Sequence, residues 1–265
     1  MIDVVRKLWS NPGKYLPLAR KAALQQLCWI FKDTSFFMQG QMDIHPKSRW
    51  HTEFAQQTGG FFIKGDLVER RIFNLDPHDN TRRDMLILLL RTLVTQGVPG
   101  ALAEVGVYKG LTAKLVHHYL PDRPLYLFDT FEGFTERSVI AEQNNTGFAI
   151  DSKYFSDTSL EAVRAYVQPV NDRVSFHKGY FPGTIPAALQ GETFAFVHLD
   201  ADLYEPIVAG LEFFYPRLAR HGMLVVHDYN AWPGARSAVD SFFRDKPELV
   251  IPMPDKSGSA LMVKQ

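Results

Sequence analysis

Ala101-Leu-Ala-Glu104-Val-Gly106-Val-Tyr-Lys-Gly110 decides the fold. An apolar strand runs into a glycine turn, and the missing side chains let backbone N–H groups come close to a ligand at the start of the next helix. Three more apolar runs end in acids: Leu125-Tyr-Leu-Phe-Asp129, Phe196-Val-His-Leu-Asp200 and Leu224-Val-Val-His227-Asp228. In an open parallel sheet ligands gather outside the carboxyl ends of the strands, so these polar ends converge on one crevice. Asp129 follows Glu104 by about 25 residues, a position from which a carboxylate accepts ribose hydroxyls in nucleotide folds. The spacing is Glu-x-Gly-x-x-x-Gly, not Gly-x-Gly-x-x-Gly, which favours S-adenosylmethionine over NAD. The chain reads as a small-molecule enzyme.

Composition agrees with one domain plus an extension. The 265 residues are 46% hydrophobic and 22% charged, enough to bury a core without disulfide or metal staples. Lys+Arg and Asp+Glu are equal at 29 each, so no global field draws the chain to nucleic acid. The single cysteine, Cys28, excludes an internal disulfide framework and a cysteine-based zinc site. No apolar run reaches a membrane span and no secretory signal is evident, so a cytoplasmic location is expected.

The pattern changes near residue 75. Residues 1–75 read as a mainly helical N-terminal extension, basic and interleaved with Trp9 and Trp29, suited to oligomer contacts or to roofing an acceptor pocket; membrane contact is the weaker use of that face. Residues 76–265 read as a catalytic domain. A helix from Asp84 stops at Gly97-Val-Pro-Gly100, and strands at 101–107, 124–129, 173–178, 194–200 and 222–228 alternate with helices. Two short pieces around Pro254-Asp-Lys-Ser-Gly258 suit a closing hairpin. This gives an α/β fold with a mostly parallel seven-stranded sheet covered on both faces.

Several motifs in order then resemble one family. Gly97-Val-Pro-Gly100 into Ala103-Glu-Val-Gly-Val-Tyr-Lys-Gly110, Phe128-Asp-Thr-Phe-Glu-Gly133, Gly179-Tyr-Phe-Pro-Gly-Thr-Ile-Pro186 and His198-Leu-Asp-Ala-Asp-Leu-Tyr-Glu205 are similar to the macrocin-type O-methyltransferases, over roughly residues 79–245. The resemblance implies a Rossmann-like class I methyltransferase that uses S-adenosylmethionine and methylates a sugar hydroxyl of a small molecule. It implies that Glu104, Gly106, Tyr108 and Gly110 hold the methionine end of the cofactor and Asp129 the ribose. Phe131 and Gly133 would lie against the adenosine, with Gly179 and Phe181 near the adenine. It also implies a homo-oligomer, a divalent cation on Asp200 and an acid pair after the next strand, and Asp200 as general base.

Here that pair reads His227-Asp228. A hard cation lowers the pKa of an oxygen it holds. Mg²⁺ prefers oxygen ligands, while Mn²⁺ accepts a mixed histidine and carboxylate set more readily. Three readings stay open: Asp200, His227 and Asp228 bind a different metal; His227 stands outside the metal's ligands; or no metal binds and His227 is the base. An NAD-dependent oxidoreductase and a non-catalytic cofactor-binding protein are the other functional classes. His198 reads as a core histidine, and Asp202, Tyr204 and Glu205 as a helix start with Asp202 bordering the metal.

Overall fold

The computed structural model describes residues 80–265. The expected extension over residues 1–75 lies outside the described residues. Helix α1 (Asn80–Thr95) leads into β1 (Ala101–Val105), α2 (Leu111–Tyr119), β2 (Leu125–Asp129), α3 (Glu136–Thr146), α4 (Leu160–Val167) and β3 (Val174–Lys178). After them come β4 (Phe194–Leu199), α5 (Tyr204–Phe214), β5 (Leu218–Val226), α6 (Pro233–Phe242), β6 (Ile251–Pro252) and β7 (Ala260–Val263). The sheet order is β3-β2-β1-β4-β5-β7-β6. The first five strands are parallel, and β7 runs antiparallel to both β5 and β6. The expected sheet and closing hairpin are therefore present.

The central strands are buried along their whole length, as strands covered on both faces must be. Alternation sends Leu102, Met223 and Val225 into the core under α1, α2 and α4, and Ala103, Leu224 and Val226 into the core under α5 and α6. Each of the two innermost strands carries one polar residue, Glu104 and His198, and these are register partners. The chain winds outward from β1 to β3 and then returns to β4 on the other side. That reversal opens the crevice between the ends of β1 and β4.

Two elements differ from the sequence expectation. The apolar pattern of the sequence predicts a helix over 204–219, but it ends at Phe214, because Pro216 has no N–H to continue it and the chain tightens into a 3₁₀ turn over Tyr215–Arg217. Helix α3 has no counterpart in the reading above. It starts on Thr135, whose hydroxyl accepts the Ser138 N–H, and stops at Gly147 in the left-handed conformation. Its fully buried residues are Ser138 and Glu142, so it packs a polar face. Glu142 accepts the Tyr204 N–H at 2.8 Å, at the start of α5, and its carboxylate crowds Gly234 at the start of α6. One buried carboxylate thus joins two helix N-termini, where its charge is favoured.

Candidate active site

A cavity of about 340 Å³ opens at the carboxyl ends of the strands. Six of the nine expected cofactor residues line it: Gly106, Tyr108, Asp129, Gly133, Gly179 and Phe181. The other three stand behind its wall. Glu104 is buried against His198, with Oε1 3.0 Å from Nδ1. Gly110 begins α2 at φ 80°, packed so closely on Val163 and Val167 that a Cβ would clash. Phe131 fills the core and offers only its backbone N–H, donated to Asp129 Oδ1 at 2.6 Å.

Asp129 also accepts the N–H groups of Val107 and Tyr108 on Oδ2, at 2.6 and 2.9 Å. It clasps the turn after β1 to the turn after β2. A carboxylate has about four acceptor positions, so the three backbone donors leave Asp129 room for one further direct hydroxyl. At Gly106 the chain comes so close to β4 that a Cβ would lie 2.0 Å from the Asp200 carbonyl oxygen. Tyr108, Asp202 and Asp228 all adopt left-handed φ without being glycine, at 48°, 59° and 58°. Such strained residues collect where a site fixes them.

The opposite end of the cavity is acidic. Asp200 follows β4 and Asp228 follows β5, with His227 between them in space. His227 Nδ1 is 2.7 Å from Asp200 Oδ1 and 2.7 Å from Asp228 Oδ2. Although buried, that nitrogen makes no in-line hydrogen bond among the described residues. Asp200 Oδ2 accepts a hydrogen bond of 2.5 Å from the Arg82 guanidinium, which reaches in from α1. Burial works against a charge on Asp200, but Arg82 and His227 outweigh it and hold the carboxyl far below the usual carboxylate range. Burial likewise opposes a charge on His227, but Asp200 chiefly, with Asp228, raises it to about 9. Asp202 is pushed well above the carboxylate range by burial and by the charges of Asp200 and Asp228.

Behind Asp200 the buried pair is uncharged: burial and Asp200 raise Glu104 well above its ordinary value, and burial lowers His198 to about 3. The expectation of a core histidine at 198 thus gains a partner, Glu104.

Asp200, His227 and Asp228 fit a cation. Their ligand atoms all lie within 4.8 Å of one another. An ion with bonds of about 2.1 Å has adjacent ligands roughly 3 Å apart, close to the two 2.7 Å separations around Nδ1. Three atoms that converge without in-line hydrogen bonds suit a shared ion better than a shared proton. Two carboxylates and one imidazole make a donor set that a transition ion accepts more readily than Mg²⁺.

Arg82 is the residue that sequence reasoning missed. A signal was present: Arg82, Leu86 and Leu90 follow one another at helical spacing, so a cation continues the apolar stripe of α1 toward the sheet.

A sheet of this order, with its reversed strand β7 and a crevice over β1 and β4, defines a class I methyltransferase fold. The model of the family described as Macrocin-O-methyltransferase (TylF) matches residues 79–261, and the chain belongs to that family. It is 33% identical over 178 residues to an 8-demethyl-8-(2,3-dimethoxy-alpha-L-rhamnosyl)-tetracenomycin-C 4'-O-methyltransferase of Streptomyces olivaceus, covering 61% of this chain and 64% of that one. It is 30% identical to a demethyldecarbamoylnovobiocin O-methyltransferase of Streptomyces niveus, covering 57% of this chain and 60% of that one. The match thus spans less than two thirds of the length of these relatives. Among solved structures, the O-methyltransferase NovP superposes with a TM-score of 0.59 at 25% identity, over 70% of this chain and 80% of that one.

Proposed function

We propose that this protein is an S-adenosylmethionine-dependent O-methyltransferase acting on a hydroxyl of a small molecule, a sugar or a glycosylated metabolite. The observation that carries the reading is the single cavity with Asp129 and the glycine turn at one end and Asp200, His227 and Asp228 at the other. One relative supports the acceptor class, since its name describes methylation of a rhamnosyl-bearing metabolite.

S-adenosylmethionine would supply the methyl group, and a divalent cation held by Asp200, His227 and Asp228 would lower the pKa of the acceptor hydroxyl. Asp129 accepts a ribose hydroxyl, and Gly106, Tyr108, Gly133, Gly179 and Phe181 shape the cofactor side. Glu104, Gly110 and Phe131 support that side from behind. Asp200, His227 and Asp228 hold the cation. Asp200 takes the acceptor proton, and because Arg82 keeps it a weak base, it does so only from a hydroxyl already acidified. That dependence favours the metal-assisted reading. His227, protonated up to about 9 in the metal-free protein, is a poor general base at neutral pH.

Titration calorimetry with S-adenosylhomocysteine, with and without divalent ions, tests the cofactor half. Methyl transfer to glycosylated acceptors should vanish in EDTA and return better with Mn²⁺ than with Mg²⁺. In His227→Asp the preference should move toward Mg²⁺. Full activity in EDTA would remove the cation from the reading.

A further inference from the structure

The imidazole of His227 has two nitrogens, and the cation reading uses one. The other, Nε2, lies 4.0 Å from Oδ2 of Asp255, in the turn between β6 and β7. The Asp255 side chain is 0% exposed, an unusual place for an aspartate. Its two oxygens accept the Ser259 N–H and the Ser259 hydroxyl, each at 2.8 Å. The turn is fastened to the loop that follows Asp228: the Asn230 N–H reaches the carbonyls of Ser257 and Gly258, at 3.3 and 3.2 Å. Gly258 packs so tightly on the Asn230 side chain that a Cβ would lie 2.5 Å from it. The backbone therefore fixes Asp255 behind the ring of His227.

At 4.0 Å the carboxylate acts on Nε2 through its field and not through a hydrogen bond. A buried negative charge there penalises a lone pair on Nε2 and favours a proton on it. When a cation takes the lone pair of Nδ1 between Asp200 and Asp228, the ring proton must sit on Nε2, where the Asp255 charge favours it. Metal-binding histidines commonly turn their second nitrogen toward a carboxylate, which fixes the tautomer and the ring. We propose that Asp255 is a positioning residue that makes His227 an Nδ1 ligand, so that the β6–β7 turn is part of the cation site. The inference rests on the cation reading above. It also accounts for a histidine where the family resemblance implies an acid: a carboxylate ligates without choosing a tautomer, and a histidine needs a second group to choose it.

The test is Mn²⁺ binding to the full chain, by calorimetry and electron paramagnetic resonance, in wild type, Asp255→Asn and Ser259→Ala. Asp255→Asn retains an acceptor for Ser259 and removes the charge. It should bind Mn²⁺ about 10- to 100-fold more weakly while S-adenosylhomocysteine affinity is unchanged. Ser259→Ala loosens the turn but keeps the charge, and should lower the Tm while holding Mn²⁺ affinity within about threefold, below the range typical of a lost outer-shell partner. Equal Mn²⁺ affinity in folded Asp255→Asn overturns the role of Asp255 and leaves the cation site standing. A wild type that binds no Mn²⁺ overturns both.

Discussion

Arg82 sets the chemistry of Asp200 from 118 residues away. With side chains only 15% and 19% exposed, this pair loses far more when one partner is removed than a surface pair does. Arg82→Met should destabilise the protein by about 3 kcal/mol in urea titrations and lower methyl transfer by about 100-fold. Arg82→Lys should recover part of the stability but less of the rate, because an ammonium lacks the planar fork. Wild-type turnover in Arg82→Met would show that the guanidinium has no hold on Asp200. At the cofactor end, Asp129→Asn should weaken S-adenosylhomocysteine binding at least about tenfold, since a hydrogen bond to a charged acceptor contributes roughly 1.5–3 kcal/mol. Unchanged affinity would sink the ribose assignment. The acids at the strand ends were legible because a polar residue closing an apolar run stands out. Arg82 and Asp255 were not, since each works on a residue far away in sequence and neither belongs to a motif. Glu104 was legible as an acid near the turn, but its burial behind the cavity wall depends on its register with His198 in another strand.

Elements that bury apolar faces were legible, apart from where α5 ends, and the one that buries a polar face was missed. Helix α3 gives little apolar periodicity, so only its Thr135 cap and Gly147 stop betray it. Its attachment is chemical. Glu142→Ala strands the Tyr204 N–H and should cost about 2 kcal/mol, with faster hydrogen exchange at the start of α5. Unaltered exchange there would mean that α3 is held by other contacts. The turn after β1 admits even less change. Gly106→Ala would place a methyl against the Asp200 carbonyl at a left-handed φ of 86°, so a loss of about 3 kcal/mol or more is expected in thermal melts.

Over the whole molecule the buried column makes stability depend on pH. His227 binds its proton more tightly folded, at about 9, than unfolded, so its contribution is complete below about 6.5 and is lost as pH rises through about 9. The Glu104–His198 pair holds one proton when folded. It also holds one when unfolded between about pH 4.5 and 6.5, so its contribution changes little there. Above that window the unfolded pair is bare and its contribution declines in the same sense as that of His227. Below it, Asp200 and His198 both favour unfolding. Asp202, which keeps its proton when folded and loses it above about pH 4 when unfolded, adds a decline with rising pH. The metal-free protein should therefore show a urea midpoint that falls as pH rises from about 6.5 through 9. A midpoint still rising at pH 8 would contradict the charge assignments. For residues 1–75, deleting positions 1–35 should reduce oligomerisation or acceptor turnover more than cofactor affinity. An active truncated protein of unchanged size in solution would remove that role.

Strand β7 is made after β6 yet lies between β6 and β5. Until residues 260–263 pair, β5 has its parallel neighbour β4 but no partner on its other edge, and that edge can pair with another chain. Residues 260–263 therefore close the sheet and bring the Asp255 turn behind His227 in one event. Until then the chain has both an open edge and, on the proposed reading, a cation site that lacks the group behind His227.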